Sequence, residues 1–81
     1  MITLYEHGNR QGSSITLLRD NPNLESVGMA NKASSAIVQS GVWQICSSAN
    51  YGCRCIVLTP GQYEMERFNL NDQINSVRRL R

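Results

Sequence analysis

Three cysteines, Cys46, Cys53 and Cys55, and a single histidine, His7, are the residues of this 81-residue chain with the most intrinsic reactivity. The thiols all lie in the C-terminal half, distant from His7, and none is arranged as part of the four-ligand set that zinc requires. Around His7, which follows Glu6, there is no Ser-His-Asp or Cys-His pattern of nucleophilic catalysis. A turn residue is expected there, no catalytic residue is nominated, and the chain reads as a non-enzyme. Oxygen carries a second kind of chemistry. The windows Ala30-Asn31-Lys32-Ala33-Ser34-Ser35 and Asn71-Asp72-Gln73-Ile74-Asn75-Ser76 crowd amide, hydroxyl and carboxylate oxygens into short stretches. Calcium is a hard cation that takes six to eight oxygens at about 2.3–2.6 Å, and loops of this composition suit it. The same residue types also make turns and cap strand ends through side chain to backbone hydrogen bonds, and composition alone leaves both readings open.

The two windows stand at the same place in two copies of one pattern. With an offset of 41 residues the halves align without a gap, and Asn9/Asn50, Ile15/Ile56, Leu17/Leu58, Glu25/Glu66 and Ser35/Ser76 are identical. Val27/Phe68, Met29/Leu70 and Ala33/Ile74 keep apolar character. Each copy reads as short strands between turns, with no helical period beyond about a turn. Ile2 and Leu4 alternate with Thr3 and Tyr5; Ile15-Thr16-Leu17-Leu18 follows a Gly-Asn-Arg-Gln-Gly turn; Ala36-Ile37-Val38 ends the first copy. Trp43-Gln44-Ile45-Cys46, Cys55-Ile56-Val57-Leu58 and Ser76-Val77-Arg78-Arg79-Leu80 repeat this in the second. Thr59-Pro60-Gly61-Gln62 and Asp20-Asn21-Pro22-Asn23 are read as matching turns. The expected fold class is all-β: a two-sheet sandwich of two motifs of about four strands, residues 1–40 and 42–81, sharing one core within one domain.

Size and charge narrow the functions. So short a chain forms one domain and buries only about 60% of the surface it exposes unfolded, which predicts help from a metal, a disulfide or a partner. The formal net charge of +2 is too small for a dedicated polyanion binder, and the basic end at Arg78, Arg79 and Arg81 is expected to be a solvated strand and tail. No nucleic-acid partner is therefore expected. No apolar run approaches the roughly 20 residues of a membrane span, and the opening Met1-Ile2-Thr3-Leu4-Tyr5 lacks signal-peptide features. No membrane partner is expected, and the compartment stays open.

With these motifs in view the sequence resembles the βγ-crystallin superfamily, in particular its single-domain microbial members. The family's Greek-key motif is an aromatic residue, six residues, a glycine and, later, a serine. Tyr5, Gly12 and Ser35 fit it in the first copy, where the glycine supplies the positive φ of a folded hairpin. In the second copy Cys46 and Cys53 replace the aromatic and the glycine, and only Ser76 is kept, beside a crystallin-like Trp43 and Ala49-Asn50-Tyr51. A left-handed Cys53 would cost about 1–2 kcal/mol, so a slipped turn using Gly52 is expected instead.

The resemblance also covers the oxygen-rich windows, which match the family's calcium signature, and it implies sites shared between motifs. The first would use the carbonyls of Glu6 and Lys32, the Ser34 hydroxyl, and a side-chain oxygen of Asn71 or Asp72. The second would use the carbonyls of Ser47 and Gln73, an oxygen of Asn31, and Asn75, where a hydroxyl is expected and only an amide oxygen is on offer. The first is expected to be the better site. With Asp72 the only carboxylate in the windows and Lys32 close by, an affinity of roughly 10⁻⁵ to 10⁻³ M is expected.

Two states of the cysteines follow. Relatives with cysteines at this spacing imply a Cys46–Cys55 disulfide that leaves Cys53 free; the other state is three reduced, packed thiols. The disulfide would favour an extracellular or periplasmic location, the reduced state the cytoplasm. Trp43, opposite Ile2 in the repeat, is expected in the core. The leading function is a domain that binds Ca2+ weakly to moderately, with a role in stability. Its alternatives are an interaction or protease-inhibitor module acting through Glu6–Gly12 and 62–69, or a structural domain with vestigial loops. A monomer is expected, or a weak homodimer through Cys53 or Ile37.

Overall fold

Seven strands and four short 3-10 turns account for the chain in a computed structural model that describes all residues 1–81. The strands are β1 (Ile2–His7), β2 (Gln11–Leu17), β3 (Ser35–Val38), β4 (Trp43–Ser48), β5 (Gly52–Leu58), β6 (Gly61–Glu64) and β7 (Ser76–Arg79). They form two antiparallel sheets, in the order β2-β1-β3-β6 and β5-β4-β7. The all-β class is as expected, and its cause is visible in the alternation. Ile2 and Leu4 of β1, Ala36 and Val38 of β3, and Trp43 and Ile45 of β4 all point inward. Together with Leu24, Leu58, Met65, Leu70, Ile74 and Val77 they make one apolar cluster. Thr3 is buried too, and its hydroxyl bonds Thr16 across the β1–β2 ladder at 2.9 Å.

Sheets and sequence halves do not coincide. β6 belongs to the second half yet pairs with β3 of the first: Ser35 faces Glu64 and Val38 faces Gly61. In return Asn21 of the first half bridges Val77 of β7, with reciprocal backbone hydrogen bonds of 2.8 and 3.0 Å. Against the expected four strands per copy, the first copy has three and the second four, the first copy's fourth being reduced to the single Asn21 bridge beside β7. The expected turn at Thr59-Pro60-Gly61-Gln62 is also shorter than read, since strand begins at Gly61 and continues into the supposed loop. Gly-Gln-Tyr-Glu carries no apolar alternation because β6 is a half-exposed edge strand.

The duplication is clearest in the backbone. Positive φ occurs at Asn9/Asn50, Arg10/Tyr51, Gly12/Cys53, Gly28/Asn69 and Asn31/Asp72, each pair separated by the repeat offset. The motif serines act identically. Ser35 Oγ donates to the His7 carbonyl at 2.7 Å and accepts from the Arg10 amide at 3.0 Å. Ser76 Oγ donates to the Ser48 carbonyl at 2.6 Å and accepts from the Tyr51 amide at 3.1 Å. Each serine thus ties a folded hairpin tip to the base of its motif.

The second hairpin does not slip. Cys53 takes the left-handed conformation itself, at φ 60°, while Gly52 does not need it at φ −97°. Side-chain size explains why a Cβ fits at one tip only. A Cβ on Gly12, at φ 80°, would run into the ring of His7, whereas Ser48 stands where His7 does and leaves room for Cys53, which is exposed. Gly12→Ala should therefore cost about 2 kcal/mol or more, left-handed strain and overlap combined. Cys53→Gly should stabilise by up to about 1 kcal/mol, since relief of strain exceeds the added chain entropy. Urea unfolding of the pair checks this: like-signed effects would contradict the account.

Candidate functional site

The end of β1, the loop after Gly28 and the loop after Asn69 converge on one open pocket of ≈ 220 Å³, lined by Glu6, His7, Asn31, Lys32, Ser34 and Asp72. Local bonds fix each contributor. The Ser34 amide donates to the Tyr5 carbonyl at 2.8 Å, seating Ser34 beside Glu6. The loops cross-link in a pseudo-twofold manner: Asp72 N donates to Ala33 O at 3.0 Å, and Asn31 N donates to Ile74 O at 3.1 Å. Both Asn31 and Asp72 are left-handed, at φ 57° and 56°. Asn and Asp enter that region more readily than most residues, and there each side chain swings toward the other motif's loop. Ser34 Oγ donates to Asp72 Oδ1 at 2.8 Å, joining the two halves across the pocket.

Of the residues assigned by sequence to the first site, Glu6, Lys32, Ser34 and Asp72 share this pocket. Asn71 stands outside its lining, its Nδ2 3.5 Å from Asp72 Oδ2. Asn31, which the sequence places in the second site, and His7, expected to be a turn residue, line it as well. His7 ends β1 with its Nε2 3.9 Å from Glu6 Oε1, and its side chain is exposed. The signal for His7 was its place directly after Glu6, at the end of an alternating strand. Glu6 is a second acidic residue in the lining beside Asp72, and Lys32 is its one lysine. No three His, Cys, Asp or Glu side chains gather anywhere in the fold, so a cation here would draw on carbonyl, amide and hydroxyl oxygens as much as on carboxylates. That donor set fits calcium's preference for mixed oxygen ligands.

The second set of residues is also together but differently disposed. Asn75 N donates to Cys46 O at 2.9 Å, just as Ser34 N does to Tyr5 O. The Asn75 side chain, expected to offer its oxygen, offers its nitrogen: Nδ2 donates to Ser47 O at 2.7 Å and Asn31 Oδ1 at 2.8 Å, with Gln73 O at 3.5 Å. The Ser47 and Gln73 carbonyls can only accept, so the Asn75 nitrogen and not its oxygen faces them, and the Asn31 amide presents its oxygen to match. Beside this set, Arg78 stacks over the Tyr51 ring at 4.7 Å. Burial and the Asp20 carboxylate push the Tyr51 phenol above the usual tyrosine range, partly offset by the Arg78 cation.

Cys46 and Cys55 face each other across β4 and β5 and form a disulfide, while Cys53 is free. Trp43 is wholly buried, and its Nε1 donates to Ser40 O at 2.9 Å. No helix is long and apolar enough to cross a membrane.

Two exchanged Greek keys with a polar, oxygen-lined pocket shared between them define an all-β double-motif domain. The chain belongs to the βγ-crystallins: the Beta/Gamma crystallin family model matches residues 1–80. It is 38% identical over 77 residues to the epidermal differentiation-specific protein of Cynops pyrrhogaster, covering 95% of this chain and 22% of that protein's length. A βγ-crystallin from Ciona intestinalis superposes with a TM-score of 0.93 at 28% identity, over 96% of each chain. One from an archaeon does so with a TM-score of 0.89 at 33% identity, over 98% of this chain and 95% of the other. A transition-metal-ion-binding βγ-crystallin from Methanosaeta thermophila, 22% identical, shares the fold over 98% of this chain and 99% of its own with a TM-score of 0.85. One protein that shares this fold therefore binds transition-metal ions.

Proposed function

We propose that this domain binds one calcium ion in the pocket between its two motifs and that the ion serves stability. The observation that carries the reading is the Ser34–Asp72 contact at 2.8 Å. It brings a carboxylate from one motif to the hydroxyl of the other, in a pocket that also holds Glu6, Asn31 and Lys32. The Ser34 hydroxyl donates to Asp72 without metal and can turn its proton outward to offer a lone pair when a cation arrives. The partner in this reading is the cation alone, with no nucleic acid or membrane, and the chain acts as a monomer. The Cys46–Cys55 disulfide supports an oxidising compartment, extracellular or periplasmic, where free calcium is abundant.

Calorimetric titration with calcium after chelation should show saturable binding with Kd of about 10⁻⁵ to 10⁻³ M. With a Kd near 10⁻⁴ M, 10 mM calcium stabilises the native state by about 2.7 kcal/mol, raising the melting midpoint by roughly 10–20 °C. Asp72→Ala should remove the heat and the stabilisation together. Flat titrations and equal midpoints with and without calcium would leave a structural domain whose loops hold no ion. A parallel zinc titration tests selectivity, since His7 is among the lining residues and an imidazole suits borderline metals.

A further inference from the structure

The two loops that face each other across the pseudo-twofold make the same bond with different donors. In one, the Ser34 hydroxyl donates to Asp72 Oδ1 at 2.8 Å; in the other, the Asn75 amide nitrogen donates to Asn31 Oδ1 at the same 2.8 Å. Asn75 Nδ2 goes further and also reaches Ser47 O at 2.7 Å and Gln73 O at 3.5 Å. The three oxygens gathered on that one nitrogen are those that a cation in the second loop pair would gather.

We infer that Asn75 closes the second site from within, its amide nitrogen standing where a cation would stand and tying Ser47, Asn31 and Gln73 together without metal. The inference rests on the reading of these shared loops as cation sites. A hydroxyl can exchange donation for acceptance by rotating its proton, but an amide nitrogen has no lone pair to offer. To present Oδ1 instead, the amide must turn over, lose its hydrogen bonds and set its own oxygen against three others. The arrangement makes the domain asymmetric: one motif interface answers to calcium concentration, and the other is permanently closed by a neutral side chain. Asn31 also brings no charge to this loop pair, whereas its counterpart Asp72 brings a carboxylate to the other.

The test converts the second loop pair into the composition of the first. Asn31→Asp, Asn75→Ser and the double variant are made with Asp72→Ala already in place, so that the first pocket is disabled, and each is chelated and titrated with calcium chloride. The position suits the change: residue 75 carries the same backbone hydrogen bond as Ser34, and Asn31 shares the left-handed φ of Asp72. The double variant should bind one calcium at least tenfold more tightly than Asn31→Asp alone, in which the amide still occupies the site. Equal affinities, or no binding by a folded double variant, would overturn the closure. In chelator and with Asp72 intact, Asn75→Ser should melt several degrees below the parent, about 4–8 °C for the loss of one satisfied donor; an unchanged midpoint would count against it. If the parent protein takes no calcium while the double variant does, the first-site reading fails and the closure stands. Should the double variant not fold, NMR of the parent decides. The Asn75 side-chain amide protons should exchange slowly and stay unmoved through a calcium titration, whereas fast exchange or a calcium-dependent shift overturns the inference.

Discussion

Reduction of the Cys46–Cys55 disulfide is expected to lower the unfolding free energy by about 2–3 kcal/mol, the chain-entropy value for so short a loop. The bond closes a separation of 9 residues across the β4–β5 hairpin. β5 is an edge strand, hydrogen-bonded on one side only, by β4. Its hairpin tip carries three non-glycine residues at positive φ, Asn50, Tyr51 and Cys53, where the other tip has Asn9, Arg10 and Gly12. The corresponding pair in the first motif, Tyr5 and Ser14, meets by register alone. The disulfide therefore sits in the motif that lost its glycine, and it offsets the strain of the left-handed cysteine. Urea unfolding with and without reductant measures the effect, in a Cys53→Ser background that removes thiol exchange. Cys46→Ala/Cys55→Ala should reproduce the reduced protein, and coincident midpoints in oxidant and reductant would refute the assignment of a stabilising role.

Trp43→Ala should cost about 3–5 kcal/mol, the range for truncating a fully buried aromatic side chain. A domain of this size commands roughly 4–12 kcal/mol in all at 0.05–0.15 kcal/mol per residue, so the variant should lose a quarter or more of its stability and melt at least about 12 °C below the parent. The indole is completely buried in the cluster that both sheets share, with Leu58 and Arg79 as its register neighbours. Trp43→Phe keeps a six-membered ring but loses the pyrrole part of the indole, which leaves a small cavity, and the hydrogen bond to Ser40 O, so an intermediate loss of about 1–3 kcal/mol is expected. Circular dichroism through a urea series separates the two, and an Ala variant with a near-parental midpoint would remove Trp43 from the core.

Much of this architecture is legible in the chain because burial writes itself as alternation. Ile2/Leu4, Trp43/Ile45 and the offset between copies reveal the strands and the duplication, and Gly12 reveals one folded hairpin. The losses have a common cause: each depends on what lies across from a residue. Gly61–Glu64 has no apolar rhythm, because what makes it a strand is the waiting edge of β3. The left-handed Cys53 is tolerated because Ser48, remote in the pattern, is small. His7 enters the pocket through the way β1 ends. The Asn75 amide is oriented by three acceptors from separate segments, one of them in the other motif, and nothing in the letters distinguishes its nitrogen from its oxygen.

The exchange of β6 for the Asn21 bridge has a consequence during synthesis. As the chain leaves the ribosome, β1, β2 and β3 can assemble first, but the Ser35–Val38 edge has no neighbour until residues 61–64 emerge. Through that interval the nascent half-domain displays an unsatisfied strand edge beside an apolar face whose cover, Trp43, Ile45 and Val77, is still being made. Such an edge recruits whatever strand is nearest, including its counterpart on an adjacent nascent chain. A fold that interlocks its halves so firmly once finished is open to mispairing between neighbouring nascent chains until residues 61–64 have emerged to cover that edge.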